Sequence, residues 1–549
     1  MKLPRLSTNR ATTVTGGGAD TGAHSSGQPE TVIVIGAGVA GLATAALLAR
    51  DGKKVTVVDK LEEVGGRAGS LTEAGFRWDT GPSWYLMPEA FDHFFELCGT
   101  STQAELELID LSPAYRVYND DGDFLDVETG VEKVAKLFES IEPGAGARIR
   151  AYLAQASDIY NVALSKFLYT TFSSPRELLG PAVRSRLGML AQLLVRTLDK
   201  HVAQSFSDYR LRQVLSYPAV FLSSEPAVAP ALYSLMSHTD LVEGVRYPLG
   251  GFDAVVRAIA KQAQLAGVQF RLGAEVTSIL TAGTSPRATG VRITDASGTQ
   301  KLLADAVVSA ADLHHTENTL LPQRLRTYPE KYFAGRDAGL GTVLVLLGVA
   351  GKLPELSHHT LLFSKDWAPD FRAVYHGPEP ARPLDCSRSI YISKTSATDP
   401  DVAPEGHENL FVLVPVPADS ALGHGNAYRD SPSARVEAIA DAAVKQIGDW
   451  AGIADLEERI VIRRTLGPAD FAERYHAWRG GSIGPAHTLA QSAFLRGKNV
   501  SSKVAGLYYA GATTVPGVGV PMCLISAENV LKRMHGDATA SPLSSFYPA

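Results

Sequence analysis

The chain has 549 residues, 45% of them hydrophobic and 20% charged, with 50 glycines, 31 prolines and a net charge of −6. That length exceeds what one hydrophobic core usually organises, so two intertwined or successive domains are expected. The lack of a long basic run argues against a nucleic-acid binder, and Cys98, Cys386 and Cys523 lie too far apart in sequence for a disulfide framework or zinc site, a usage that fits a reducing cytoplasm.

In chain order, residues 1–30 are polar and rich in Gly, Ser and Thr, without the apolar core of a signal peptide, and read as a disordered tail. The β-branched run Thr31 to Ile35 predicts a buried parallel strand. A helix from Val39 to Arg50, stopped by Asp51-Gly52, and a second strand from Lys54 to Val58 follow. From about Ala90 to Asp240 the pattern is mostly helical, with little β-rich sequence after Val127. Within it, Pro181 to Lys200 places Val183, Leu187, Leu190, Ala191, Leu194 and Leu198 on one helical face, with Arg184, Arg186, Arg196 and Lys200 nearby. That segment reads either as a core helix or as one that dips into a membrane surface. Val268 to Ile279, Gly290 to Ile293 and Ala306 to Val308 are strand-like, Thr342 to Val349 and Leu410 to Val416 suit a second sheet, and Gly506 to Ala510 precedes a last helix, Met522 to Met534. No stretch offers the roughly 18 uninterrupted apolar residues of a membrane span.

Gly36-Ala37-Gly38-Val39-Ala40-Gly41 matches G-x-G-x-x-G between a strand and a helix, and Asp59 ends the next strand, where a ribose hydroxyl needs a carboxylate. Gly36 would turn the chain, Gly38 admit a pyrophosphate, Gly41 bring helix to strand, and the helix N-terminus face the phosphates. Gly65-Gly66-Arg67 adds a second close backbone approach and a cation, and Trp78-Asp79-Thr80-Gly81-Pro82 follows. Two other motifs are decoys. Gly480-Gly-Ser-Ile-Gly484 matches a hydrolase elbow but lacks the strand before it, and His314-His315 has no metal-ligand spacing and reads as a loop or surface pair.

The glycine-arginine pair with its flanking segments resembles the FAD-dependent amine oxidase and carotenoid desaturase superfamily. Leu507-Tyr-Tyr-Ala-Gly-Ala-Thr-Thr-Val-Pro-Gly-Val-Gly-Val-Pro521 is similar to the closing motif of bacterial-type phytoene desaturases, as are Tyr247-Pro-Leu-Gly-Gly251, Glu275-Val276, Val307-Val-Ser-Ala-Ala-Asp312 and Gln491-Ser-Ala-Phe494, in family order. Thr513 and Val515 stand where the family carries a small residue and a histidine. The resemblance implies an α/β fold with a Rossmann-like FAD-binding domain of the GR2 type, built from 31–110, 241–320 and 480–536. It also implies a second, discontinuous α+β substrate domain, 111–240 and 321–479, with a mixed sheet and a helical subregion that could dock on a membrane; 537–549 would be a C-terminal tail.

The resemblance further implies non-covalent FAD held by Gly36, Gly38, Ala40, Gly41, Asp59, Lys60, Gly65, Gly66, Arg67, Gly81, Pro82, Val276, Gly511, Gly519, Val520 and Pro521, with no metal. Phytoene would be dehydrogenated stepwise towards lycopene, with hydride to flavin N5 and proton loss from the adjacent carbon. Quinone or oxygen would reoxidise the flavin, on a cytoplasmic protein peripherally attached to membrane. The family's acidic and basic cluster falls near Pro143 to Arg148, which has no acidic residue, and Asp240 and Glu243 are the candidate proton acceptors. A desaturase of shorter squalene-like precursors, a carotenoid ketolase, an amine oxidase and a non-catalytic prenyl-binding protein are the alternatives.

Overall fold

The computed structural model describes residues 28–173 and 181–547; the disordered reading of the N-terminal tail therefore falls almost wholly outside the described residues. A five-stranded parallel sheet runs in the order Leu507–Tyr509, Ala306–Ser309, Thr31–Ile35, Lys54–Val58, Gln269–Arg271. Its central strand is apolar from Val32 to Ile35 because both faces are covered there. Val32 and Val34 meet the helices Val39–Arg50, Gly251–Leu265 and Val520–His535, whereas Ile33 and Ile35 meet the antiparallel strands Glu275–Ala282 and Arg287–Asp295. The run expected as one strand from Val268 to Ile279 is two, broken by a turn at Gly273, whose φ is +69°.

A second sheet has seven strands in the order Ile460–Leu466, Leu340–Ala350, His407–Pro417, Ile390–Ser393, His359–Phe363, Tyr115–Asn119, Phe124–Val127. It is mixed, because His359–Phe363 pairs parallel with Tyr115–Asn119 and the other neighbours are antiparallel. Along Leu340–Ala350, Val343, Val345, Leu347 and Val349 pack under the helix Ala434–Ala451, and Leu344 and Leu346 point into the core shared with the helical region.

Pro181 to Lys200 does not form one helix. It is divided into three helices, Pro181–Arg184, Leu187–Val195 and one that begins at Leu198 and runs past the segment, Leu198–Ala203. Arg186 is drawn to Asp158, with Nη2 2.7 Å from Oδ1. Near Arg196 the backbone leaves the helix to pair with a neighbouring segment: Ala231 N–H donates to the Arg196 carbonyl at 2.8 Å and Leu198 N–H to the Ala229 carbonyl at 2.9 Å. The last residues fold back, with Leu543, Phe546 and Tyr547 against the core between the five-stranded sheet and its helices, and Leu543 N–H donating to Glu528 at 2.8 Å.

Candidate functional site

Where the first strand ends, Gly36 turns the chain at φ +102°. A methyl group on Gly41 would lie 1.8 Å from the Gly36 carbonyl oxygen, so only glycine lets the helix start against this turn. Gly38 differs: its φ is −73° and a methyl there would touch nothing closer than 3.8 Å, the Gly65 carbonyl oxygen. What that methyl would fill is the slot between the two glycine loops. Gly65 N–H donates to the Ala37 carbonyl at 2.9 Å, and Gly38 and Gly65 bridge as a parallel pair. Gly81 closes the second loop, with room for no methyl beside the Arg67 carbonyl oxygen, 1.9 Å away.

Asp59 accepts the Ala37 N–H at 2.6 Å and the Leu61 N–H at 2.8 Å. Burial raises its pKa, and those two N–H groups oppose the rise. Lys60 reaches the Glu473 carbonyl, and burial lowers its pKa. Arg67 has a buried Nε without a partner among the described residues, and its Nη2 stops 3.8 Å from Asp312. Paired backbone loops facing a slot, a helix N-terminus and an unsatisfied guanidinium suit a dinucleotide's phosphates, and Asp59 suits its ribose.

All of this lies on one cavity of about 890 Å³. Gly36, Gly38, Ala40, Asp59, Lys60, Gly65, Gly66, Arg67, Gly81, Pro82, Val276, Gly511, Gly519, Val520 and Pro521 line it; Gly41 sits beneath. His315 also lines it, on the helix Leu313–Asn318 and not in a loop, its ring stacked on His476 at 3.8 Å. No group of His, Cys, Asp or Glu that could hold a metal ion occurs among the described residues. Ser482 of the hydrolase-like motif lines the cavity too, but its hydroxyl donates to the Leu340 carbonyl at 3.3 Å and the turn Trp478–Gly480 precedes it.

The closing loop is held by residues the sequence reading did not single out. Arg496, almost fully buried, donates to the carbonyls of Pro485, Gln491, Ala512 and Thr514, and burial lowers it to about 10. His487 lies against Gly517, where a methyl would come within 2.3 Å of the ring. Its Nε2 accepts the Val518 N–H at 3.3 Å, so Nδ1 carries the proton and donates to Tyr233 Oη at 2.8 Å. No motif announces either residue, because their partners come from distant stretches of chain.

Beyond the cradle the cavity becomes a channel. Leu344, Tyr391, Phe411 and Leu413 of the mixed sheet form one end, with Ser83 and Trp84, and Leu187, Leu190 and Leu194 form the other with Leu489, Phe494 and Leu495. Its carboxylates (Asp59, Glu275, Asp312) and its lysine and arginines (Lys60, Arg67, Arg474) are all at the cradle. At the outer end Phe494 is 62% exposed, Leu489 49% and Leu187 48%, an apolar rim around the opening.

Neither predicted proton acceptor reaches this wall. Asp240 is buried behind Trp84, whose ring lies 5.2 Å from that of Tyr115; Tyr115 donates its hydroxyl to Asp240 at 3.1 Å. Burial pushes Asp240 up to about 7. Glu243 faces His238 at 3.3 Å and Glu89, which burial and this neighbour push up to about 7. Arg148, in the stretch Pro143 to Arg148, pairs with Glu142 at 2.5 Å and is likewise off the cavity.

Residues 39–534 match the family described as flavin containing amine oxidoreductase. The chain is 40% identical over 508 residues to a carotenoid 3,4-desaturase of Haloarcula japonica, covering 92% of this chain and 98% of that one. It is 34% identical over 517 residues to a zeta-carotene-forming phytoene desaturase of Myxococcus xanthus, covering 94% and 96%. Among solved structures, cyclohexylamine oxidase from Brevibacterium oxydans superposes with a TM-score of 0.55 at 16% identity, covering 92% of this chain and 99% of that one, a likeness of fold.

Proposed function

The chain belongs to the flavin-containing amine oxidoreductase family, and from that premise we propose that it is a carotenoid desaturase using non-covalent FAD to convert phytoene stepwise towards lycopene. One observation carries the reading: the dinucleotide cradle opens without interruption into an apolar channel rimmed by exposed leucines and Phe494. A long hydrocarbon can occupy such a channel with no uncompensated charge beside it. His487, the channel's imidazole, is kept neutral by burial.

When bound, the flavin supplies an acceptor at N5 for the hydride removed from an allylic carbon. The protein's part is placement and dryness. The glycine loops and Arg67 would hold the pyrophosphate, Asp59 the ribose, Val276 the adenine, and the loop from Gly511 to Pro521 the ring system. Cys523, on the wall, is pushed up to about 11 by burial, so its thiol stays protonated and unsuited to attach a flavin. Leucine and aromatic side chains exclude water and align one carbon–carbon bond of the polyene. No helix among the described residues is long and apolar enough to cross a membrane. The apolar rim, with exposed Arg184 and Lys200 nearby, supports peripheral attachment to a cytoplasmic membrane face, where the substrate would enter from lipid.

A second reading is favoured by the 40% identical relative: insertion of a 3,4 double bond into an already conjugated carotenoid. The test is FAD-loaded protein with phytoene, or with lycopene, in liposomes, each with oxygen and with a quinone. Phytoene turning visible supports the first reading. Change of lycopene alone selects the second, and oxidation of an amine with neither polyene converted would overturn both.

A further inference from the structure

Desaturation takes hydrogen from two neighbouring carbons, and the flavin accounts for one of them. The other leaves as a proton, which needs an acceptor on the cavity wall, and the buried carboxyls of Asp240 and Glu243 are not there. Resting on the desaturase reading, we propose that Ser83, Tyr391 and His359 form a proton relay that takes this second hydrogen from the substrate into the protein.

Ser83 and Tyr391 both line the cavity, from different regions of the molecule. Ser83 comes two residues after Gly81, the glycine wedged against Arg67, so it is fixed close to the cradle. Tyr391 stands on the strand Ile390–Ser393 of the mixed sheet. Their hydroxyl oxygens are 2.7 Å apart, and Tyr391 Oη is 2.8 Å from His359 Nδ1. His359 has no exposed surface, its Nε2 has no partner among the described residues, and its ring lies flat on Trp84 at 4.7 Å and 14°. The chain of groups therefore starts at the cavity and ends at a nitrogen inside the protein.

Its direction is not locked, unlike that of the His487 chain. With the imidazole proton on Nε2, Ser83 donates to Tyr391 and Tyr391 to Nδ1; with the proton on Nδ1, both bonds reverse. In the first arrangement the substrate C–H bond breaks and its electron pair becomes the second bond of the new double bond. The released proton binds Ser83 Oγ, Ser83 passes its own to Tyr391, and Tyr391 passes its own to Nδ1. Both hydroxyls end neutral and His359 ends as an imidazolium stacked on the Trp84 ring, which favours a cation. The oxidising equivalents come from the flavin. Burial keeps His359 neutral beforehand and makes it a weak base. A weak base suffices, because a carbon cation beside a polyene is a far stronger acid than an imidazolium.

The test uses FAD-loaded full-length protein, Tyr391→Phe, Ser83→Ala and His359→Asn. Bound FAD is measured first, then, without oxygen, bleaching of the flavin and appearance of the lengthened polyene from phytoene or lycopene in liposomes, in H2O and in D2O. Tyr391→Phe should hold FAD like the parent and form the lengthened polyene about 100-fold more slowly, with KM little changed and the parent's solvent isotope effect lost. Ser83→Ala should fall between, since Tyr391 itself faces the cavity. Full-rate formation of the lengthened polyene in Tyr391→Phe overturns the relay and leaves the desaturase intact. If Tyr391→Phe fails to fold, unchanged rates and isotope effects in both Ser83→Ala and His359→Asn overturn it equally. If the parent's flavin is bleached by neither carotenoid, the desaturase reading falls and takes the relay with it.

Discussion

The two ends of the cavity are built from different materials. At the cradle much of the wall is main chain, set among charged side chains: Gly36, Gly38, Gly65, Gly66 and Gly81 contribute no side chain, and they act through what is missing. At the channel the wall is side chain: leucines, Tyr391, Phe411 and Trp84, brought together from helices and strands far apart in sequence. A backbone wall tolerates few residues at fixed spacings, so it leaves a motif. A side-chain wall can be made from many combinations, so it leaves none.

Two glycines within the same fingerprint put that contrast under load. Gly41→Ala drives a methyl to within 1.8 Å of the Gly36 carbonyl oxygen, a backbone atom that cannot swing aside, and should cost more than about 3 kcal/mol of stability. Thermal unfolding of the flavin-free protein is the measurement. Gly38→Ala has room in the fold and should leave the flavin-free unfolding curve near that of the parent, while weakening FAD binding by at least about 30-fold, roughly 2 kcal/mol, by filling the pyrophosphate slot. Equal behaviour of the two variants in both assays would break the distinction between a glycine needed for packing and one needed for a ligand.

The channel's outer rim offers the next largest effect. Leu187→Glu with Phe494→Glu places two carboxylates at the apolar opening, where these side chains are 48% and 62% exposed. Loss of apolar contact with lipid should reduce liposome binding about tenfold or more, read by co-sedimentation, with FAD content untouched. Undiminished binding would move the docking surface away from the channel mouth.

The same contrast explains what could be read in advance. The strand Thr31–Ile35 and the helix Val39–Arg50 have the expected bounds because local signals (a β-branched run, a glycine turn, Asp51-Gly52) set them. The break of the expected helix over 181–200 was hidden because its causes are Asp158, Ala229 and Ala231, all outside the segment. Arg496 and His487 were hidden for the same reason, although the loop they hold was visible from its glycines. His314-His315 looked superficial because nothing near it in sequence shows that His476 will stack on His315.

Asp240 gives the finest test of the side-chain half. The channel's inner wall hides polar atoms without partners among the described residues, Trp84 Nε1, Tyr217 Oη and Asp240 Oδ1 among them. A carboxyl in such surroundings prefers its proton, and burial raises Asp240 from an ordinary 3.8 to about 7. Between those two values the native state holds a proton that the unfolded chain has released, so this group's contribution to stability falls as pH rises through the window and levels off above about 7. Asp240→Asn keeps an oxygen for the Tyr115 hydroxyl and cannot ionise. Above pH 7 it should therefore be more stable than the parent by about 1–3 kcal/mol, while below pH 4 the two should agree closely. Asp79 and Glu89, also raised to about 7, give both proteins a shared slope, so the measured quantity is the difference between the two stability curves. Curves that stay parallel from about pH 4 to 8 would mean that water or a neighbour compensates the Asp240 charge, and that the wall behind Trp84 is wetter than its side chains imply.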